Sequence, residues 1–173
     1  GGAMSVDWTD VYRNTYPDLV RFLHRKVWDV ERAQDLAQEA FVRALRHEPK
    51  KPRAWLFQVA ANLARDEART VIRRKRHLTL LKSETEDLQA SAPDLNDQLS
   101  EQERMVRVKA ALEGLSDRDR DVLLLWDAGQ SYTEIARQAG LAVGAIGTTL
   151  ARARRRLADA YHETETEKAN VAR

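Results

Sequence analysis

The chain has 173 residues, no cysteine and a formal net charge of +2. This length suits one large domain or two small ones, and the missing cysteines exclude disulfides and thiolate metal sites. The near-neutral total gives no global field to mark a nucleic-acid binder. The cysteine count fits a reducing cytoplasm. With no apolar run near about 18 residues and no signal-peptide core, the chain is expected to be soluble and not exported. Gly1-Gly2-Ala3 ahead of Met4 reads as an added leader, with Met4 the expected native start. The histidines His24, His47, His77 and His162 are scattered without ligand-like spacing, so no metal and no cofactor are expected.

The charge is segregated along the chain. From Arg53 to Arg76 there are seven Lys/Arg against two Asp/Glu, and from His77 to Glu103 one Lys against seven Asp/Glu. A basic working surface beside an acidic connector is implied.

Asp7 to Val27 is the first helical block, its apolar positions Val11, Tyr12, Tyr16, Leu19, Val20, Leu23 and Val27 keeping a period near 3.6. Pro17 inside it marks a helix start or a kink. Ala33 to Leu45 is the most regular helix, with Asp35, Gln38, Glu39 and Arg43 on the face away from its apolar stripe. Periodicity alone makes that face a solvated one. His47 to Arg53 is a loop, set by Pro49 and Pro52 and made basic by Lys50 and Lys51.

Trp55 to Arg76 reads as a long helix buried through Trp55, Leu56, Val59, Ala60, Leu63 and Ala64. Gln58, Asn62, Arg65 and Arg69 fall at i, i+4, i+7 and i+11, a polar stripe on another face. Amides at such positions can pair with base edges and guanidiniums with phosphates or guanine. Arg73 to Arg76 continues the stripe as a run of cations. Trp55 reads first as core, with stacking of Trp55 and Phe57 on unpaired bases as the alternative.

Residues 78–102 lose the period and hold most of the acidic excess, so they are expected to be a flexible linker. Glu103 to Leu115 is helical again. Ser116 with Asp119, and Ser131 with Glu134, have the spacing of capping boxes. The helix between them is expected to be buried through Val122, Leu123, Leu125 and Trp126. Gln130 to Tyr161 then reads as a short helix, a turn at Gly140 and a longer helix. The second helix carries an apolar stripe at Val143, Ile146, Leu150, Ala153 and Leu157 and ends in Arg152, Arg154, Arg155 and Arg156. Two helices joined by a glycine turn are the helix-turn-helix pattern, whose second helix enters a DNA major groove. The alternative is an amphipathic helix with a solvated basic face. The charged tail from Glu163 is expected to fray. Nothing has the form of a P-loop, a nucleophile elbow or a paired-carboxylate site, so the chain is not expected to be an enzyme.

Three stretches resemble a known family. Ala33-Gln34-Asp35-Leu36-Ala37-Gln38-Glu39-Ala40-Phe41 is similar to the AEDLVQETF motif of the extracytoplasmic-function (group IV) sigma factors of bacterial RNA polymerase. The run from Trp55 to Asp66 is similar to their WLxxIAxNxxxD motif, and Ser131 to Ala136 to SYxEIA within region 4. The resemblance implies an all-α fold of two small helical domains joined by a flexible acidic linker. Residues 4–77 would be region 2, 78–102 the linker, 103–162 region 4 and 163–173 a tail.

It also implies roles. Asp35, Gln38 and Glu39 would contact the clamp of the polymerase β′ subunit, which overturns the solvated reading of that face. Lys50, Lys51, Trp55, Gln58, Asn62, Arg65, Arg69 and Arg73 would bind and open the −10 element. Ser131, Thr133, Ala145, Gly147, Thr148, Thr149, Arg152, Arg154 and Arg155 would bind the −35 duplex, while the flank of that domain binds the β flap. The implied partners are core polymerase, promoter DNA and an anti-sigma factor, with no membrane insertion.

The chain also departs from the pattern. Gln34 stands where the family usually has Glu. Gly147, Thr149 and Ala151 replace Lys, Arg and His of the recognition pattern GTVKSRLHRAR. A good bidentate base contact contributes roughly 1–3 kcal/mol, so an atypical −35 preference or weak −35 dependence is expected. Two other readings stay open. One is a stand-alone helix-turn-helix regulator binding duplex DNA as a dimer, and the other an interaction protein that titrates another regulator.

Overall fold

The computed structural model describes residues 6–81 and 97–171. Among them are seven α-helices, one short 3-10 turn and no strand. They are α1 (Trp8–Val27), α2 (Val30–His47), α3 (Pro52–Leu81), α4 (Asp97–Glu113), α5 (Asp117–Asp127), α6 (Tyr132–Ala139) and α7 (Ile146–Val171). The all-α expectation holds. By backbone contacts the described residues up to Leu81 group with Leu124–Glu134, and the remainder form a second compact unit.

The first unit is built on α1, α2 and α3, each packed on the other two. The Asp7 carboxylate caps α1 by accepting from the N–H groups of Thr9 and Asp10 at 3.1 and 3.3 Å. Asp29 caps α2 by accepting from Arg32 N–H at 3.1 Å. These side chains satisfy donors that have no partner inside the helix. Pro17 lies inside a continuous α1, so it does not begin the helix.

The core of this unit is Leu19, Phe22 and Leu23 from α1, Leu56, Phe57, Ala60, Leu63 and Ala64 from α3, and an alanine-rich face of α2. The small residues Ala33, Ala37, Ala40 and Ala44 are fully buried there. Their size lets neighbouring backbones approach α2, and Leu36 and Phe41 fill the remaining space. Leu45, the last apolar residue of α2, is exposed. Trp28 and Glu48 end α1 and α2 in the left-handed region, at φ 58° and 51°. Glycine usually occupies such a position because a Cβ there is strained.

The second unit packs α4 on α7. Its buried residues include Ala111, Leu112, Leu115, Val122, Leu123, Ile135, Ala136, Ile146, Leu150 and Ala153. The expected cap at Ser116 is present, its hydroxyl accepting from Asp119 N–H at 3.1 Å. The cap at Ser131, in the stretch that groups with the first unit, is present too, accepting from Glu134 N–H at 3.2 Å. Gly140 turns the chain at φ 69°, and Leu141 N–H reaches back to Ala136 carbonyl at 2.9 Å. That bond closes the end of α6 in the manner of a Schellman turn.

Several boundaries and burials differ from expectation. Helix α3 runs on to Leu81 and α4 begins at Asp97, so both ends of the expected linker are helical. Residues 82–96, its middle, lie outside the described residues. Helix α7 continues to Val171 instead of fraying at Glu163. Trp126 and Val143, both expected inside, are exposed.

Candidate functional site

Two surfaces of the first unit hold the expected site residues. On α2, Asp35, Gln38 and Glu39 are all exposed, because Leu36, Ala37 and Ala40 take the inward positions. Neither carboxylate is bare. Arg43 Nη2 donates to Glu39 Oε1 at 2.7 Å, one helical turn away. Arg32 Nη1 donates to Asp35 Oδ2 at 3.3 Å. Exposed pairs of this kind are weak, contributing roughly 0.2–1 kcal/mol. A partner with better-placed cations can therefore displace them.

Arg32 does more than face Asp35. Its guanidinium forks onto Glu67 of α3, Nε to Oε1 at 2.8 Å and Nη2 to Oε2 at 2.7 Å. This two-pronged bond ties the start of α2 to the middle of α3. Hydrogen bonding from Arg32 holds the Glu67 carboxyl below the usual carboxylate range, against the opposing effect of burial. The same bond raises Arg32. Because folding lowers the Glu67 pKa, the stabilisation is complete above the unfolded value, roughly 4.3. It is lost as pH falls through the lower folded value. Chemical denaturation across pH 3 to 6 is expected to show wild-type stability falling more steeply with acid than that of Glu67→Gln. Parallel curves would contradict the assignment.

On α3, Gln58, Asn62, Arg65 and Arg69 are all exposed and share one face. The stripe spans about 17 Å at 1.5 Å per residue. Arg65 Nη1 lies 3.4 Å from Asn62 Oδ1, so two neighbours of the stripe steady each other. Arg73 is exposed and continues it. Lys50 and Lys51 are exposed in the loop that leads into α3. Trp55 is half-buried, and His47 stacks on it with ring centroids 5.1 Å apart and planes 17° apart. His47 had no role in the sequence, since only the fold of the loop after α2 brings it back over Trp55. Phe57 is 0% exposed. The alternative of stacking on bases is ruled out for Phe57, which lies on the arc of α3 shared by Ala60 and Ala64.

On the other unit's α7, Gly147, Thr148, Arg152, Arg154 and Arg155 are exposed, and Ala145, in the 3-10 turn before it, is half-buried. Ser131 and Thr133, at the start of α6, are exposed. Thr149 is 6% exposed. It cannot present its hydroxyl to a groove, so it is removed from the reading face. Arg152 is held by a carboxylate, Asp119, at 3.3 Å. Among the described residues there is no His/Cys/Asp/Glu group able to hold a metal ion, and no helix long and apolar enough to cross a membrane.

Comparison with known proteins identifies the family. Residues 11–83 match the Sigma-70 region 2 family and residues 105–157 the Sigma-70 region 4 family. RNA polymerase sigma factor YlaC of Bacillus subtilis is 32% identical over 152 residues, covering 84% of this chain and 86% of that one. ECF RNA polymerase sigma factor SigM of the same organism is 30% identical over 168 residues, covering 92% and 96%. Some relatives are longer, the chain spanning 33% of one of them. The fold is similar to that of the sigma factor RpoE from Bartonella quintana, solved in complex with the anti-sigma factor NepR. That match has a TM-score of 0.61 and 25% identity, over 89% of this chain and 96% of that one. The α2 and α3 surfaces, the helix-turn-helix and the two family matches converge: the chain belongs to the sigma-70 family, among its extracytoplasmic-function sigma factors.

Proposed function

We propose that the chain is a dissociable transcription initiation subunit that binds core RNA polymerase and directs it to promoters. It acts in the cytoplasm and catalyses no reaction itself. The observation that carries this reading is the pairing of two exposed surfaces on one small bundle: the acidic face of α2, and the Gln58/Asn62/Arg65/Arg69 stripe of α3. Asp35, Gln38 and Glu39 dock on the polymerase clamp. Lys50, Lys51, Trp55 and the α3 stripe with Arg73 hold the opened −10 strand. Separating base pairs costs about 1.4 kcal/mol per stacking step. A basic groove that binds the single strand offsets that cost without hydrolysing a nucleotide.

The second unit, through Gly147, Thr148, Arg154 and Arg155, binds the −35 duplex, with Ala145 at the edge of the contact. Its flank meets the β flap. With Thr149 buried and no Lys at Gly147, this reading face is sparse, and more of the promoter preference falls to the −10 element. An anti-sigma factor holds the free subunit inactive, a role supported by the relative solved with NepR.

A stand-alone DNA-binding regulator would leave the α2 face without a purpose. Titration against purified core polymerase separates the two. Asp35→Ala/Glu39→Ala is expected to weaken core binding by tenfold or more, with folding unchanged because both side chains are exposed. Equal binding by the variant and the wild type would reject the clamp assignment.

A further inference from the structure

The basic end of α7 carries Arg152, Arg154, Arg155 and Arg156, and these four are not equivalent. Arg152 and Arg156 are one turn apart and share a helix face. Both reach the same carboxylate, that of Asp119 in the first turn of α5. Arg152 Nη2 donates to Oδ1 at 3.3 Å and Arg156 Nη1 donates to Oδ2 at 3.1 Å. Asp119 is only 2% exposed, while the two arginine side chains are 47% and 58% exposed. The Asp119 N–H is fixed by the Ser116 hydroxyl at 3.1 Å. The carboxylate therefore sits at the positive end of α5. Arg155 is exposed and lies off the line joining Arg152 and Arg156.

A buried carboxylate is costly unless its cations remain in place. A DNA phosphate competing for Arg152 or Arg156 would have to strip the guanidinium from that buried anion. We propose that Asp119 is a positioning residue for the DNA-binding end of α7. It retains Arg152 and Arg156 on the protein and leaves phosphate neutralisation to Arg155 and the exposed surface beside it. The inference rests on the −35 reading of this unit and reassigns Arg152 within it. It also means that the arginine run overstates the charge available to DNA, because one carboxylate is shared by two of its members.

The test is the salt dependence of promoter-duplex binding by the holoenzyme, in which each neutralised phosphate contributes a slope of about 0.9. Arg152→Ala and Arg156→Ala are each expected to leave the slope unchanged, and Arg155→Ala to flatten it by about 0.9. Asp119→Asn frees the two guanidiniums and is expected to steepen the slope by about 0.9 to 1.8. Adding Arg152→Ala and Arg156→Ala to Asp119→Asn then restores the wild-type slope. A residue needed only for folding would not steepen it. Flattening by Arg152→Ala or Arg156→Ala in the otherwise native chain overturns the proposal. If Arg155→Ala also changes nothing, the −35 reading fails and takes the proposal with it. If Asp119→Asn does not fold, the single arginine variants decide the matter.

Discussion

Replacing Arg65 and Arg69 together by alanine is expected to reduce open-complex formation on the order of a hundredfold. Each hydrogen bond to a charged group contributes roughly 1.5–3 kcal/mol, and losing two such contacts removes about 3 kcal/mol or more. The salt dependence of binding to a −10 single strand should also flatten, by about 1.4, since each phosphate contact on single-stranded DNA contributes about 0.7. Both side chains are exposed and neither contributes to the core, so thermal unfolding should barely move. Arg46→Ala is the control, since Arg46 is also an exposed arginine but lies on α2, away from the stripe. Filter binding to the single strand and permanganate footprinting of the promoter measure the two effects. An unchanged salt slope in the double variant would remove the stripe from the DNA contact.

The second large effect is on stability. Phe57→Ala is expected to cost about 3–5 kcal/mol, the usual range for emptying a buried aromatic site. Phe57 is 0% exposed. It meets the Phe22 ring edge to face, with centroids 5.4 Å apart and planes at 76°. The Arg53 guanidinium lies 5.3 Å from its ring centroid. Phe57→Leu keeps most of the apolar volume and should recover much of the loss. Urea denaturation reads both variants. A Phe57→Ala protein of native stability that fails to bind single-stranded DNA would instead restore the stacking role.

Much of this follows from helical periodicity. The alternation on α2 already separated Leu36, Ala37 and Ala40 from Asp35, Gln38 and Glu39. The i, i+4, i+7, i+11 spacing put the α3 stripe on one face. Thr149 was legible too: it lies three residues after Ile146 and four before Ala153, next to the buried stripe. Alignment to the family's recognition pattern overrode that period, and the burial of Thr149 reinstates it. Phe57 is a similar case, an edge position that the inward arc of α3 extends far enough to cover.

Contacts between residues distant in sequence were not legible. Ser116 and Asp119 have capping spacing, but nothing local joins Asp119 to arginines 33 and 37 residues later. The Arg32–Glu67 fork spans 35 residues and depends on how α2 packs on α3. The helical ends of the expected linker were missed for a different reason. Residues 97–102 are polar and acidic, which reads as disorder, yet α4 begins at Asp97. Composition records what a segment can bury, and a polar helix extension needs to bury little.

The central claim is that this chain gives core polymerase its promoter choice. Run-off transcription with purified core polymerase, this chain and genomic promoter fragments tests it most directly. Defined start sites should appear only when the chain is present, and Asp35→Ala/Glu39→Ala and Arg65→Ala/Arg69→Ala should each sharply reduce them. Identical transcripts with and without the chain, while it still binds duplex DNA alone, would contradict the account and leave a stand-alone regulator in its place.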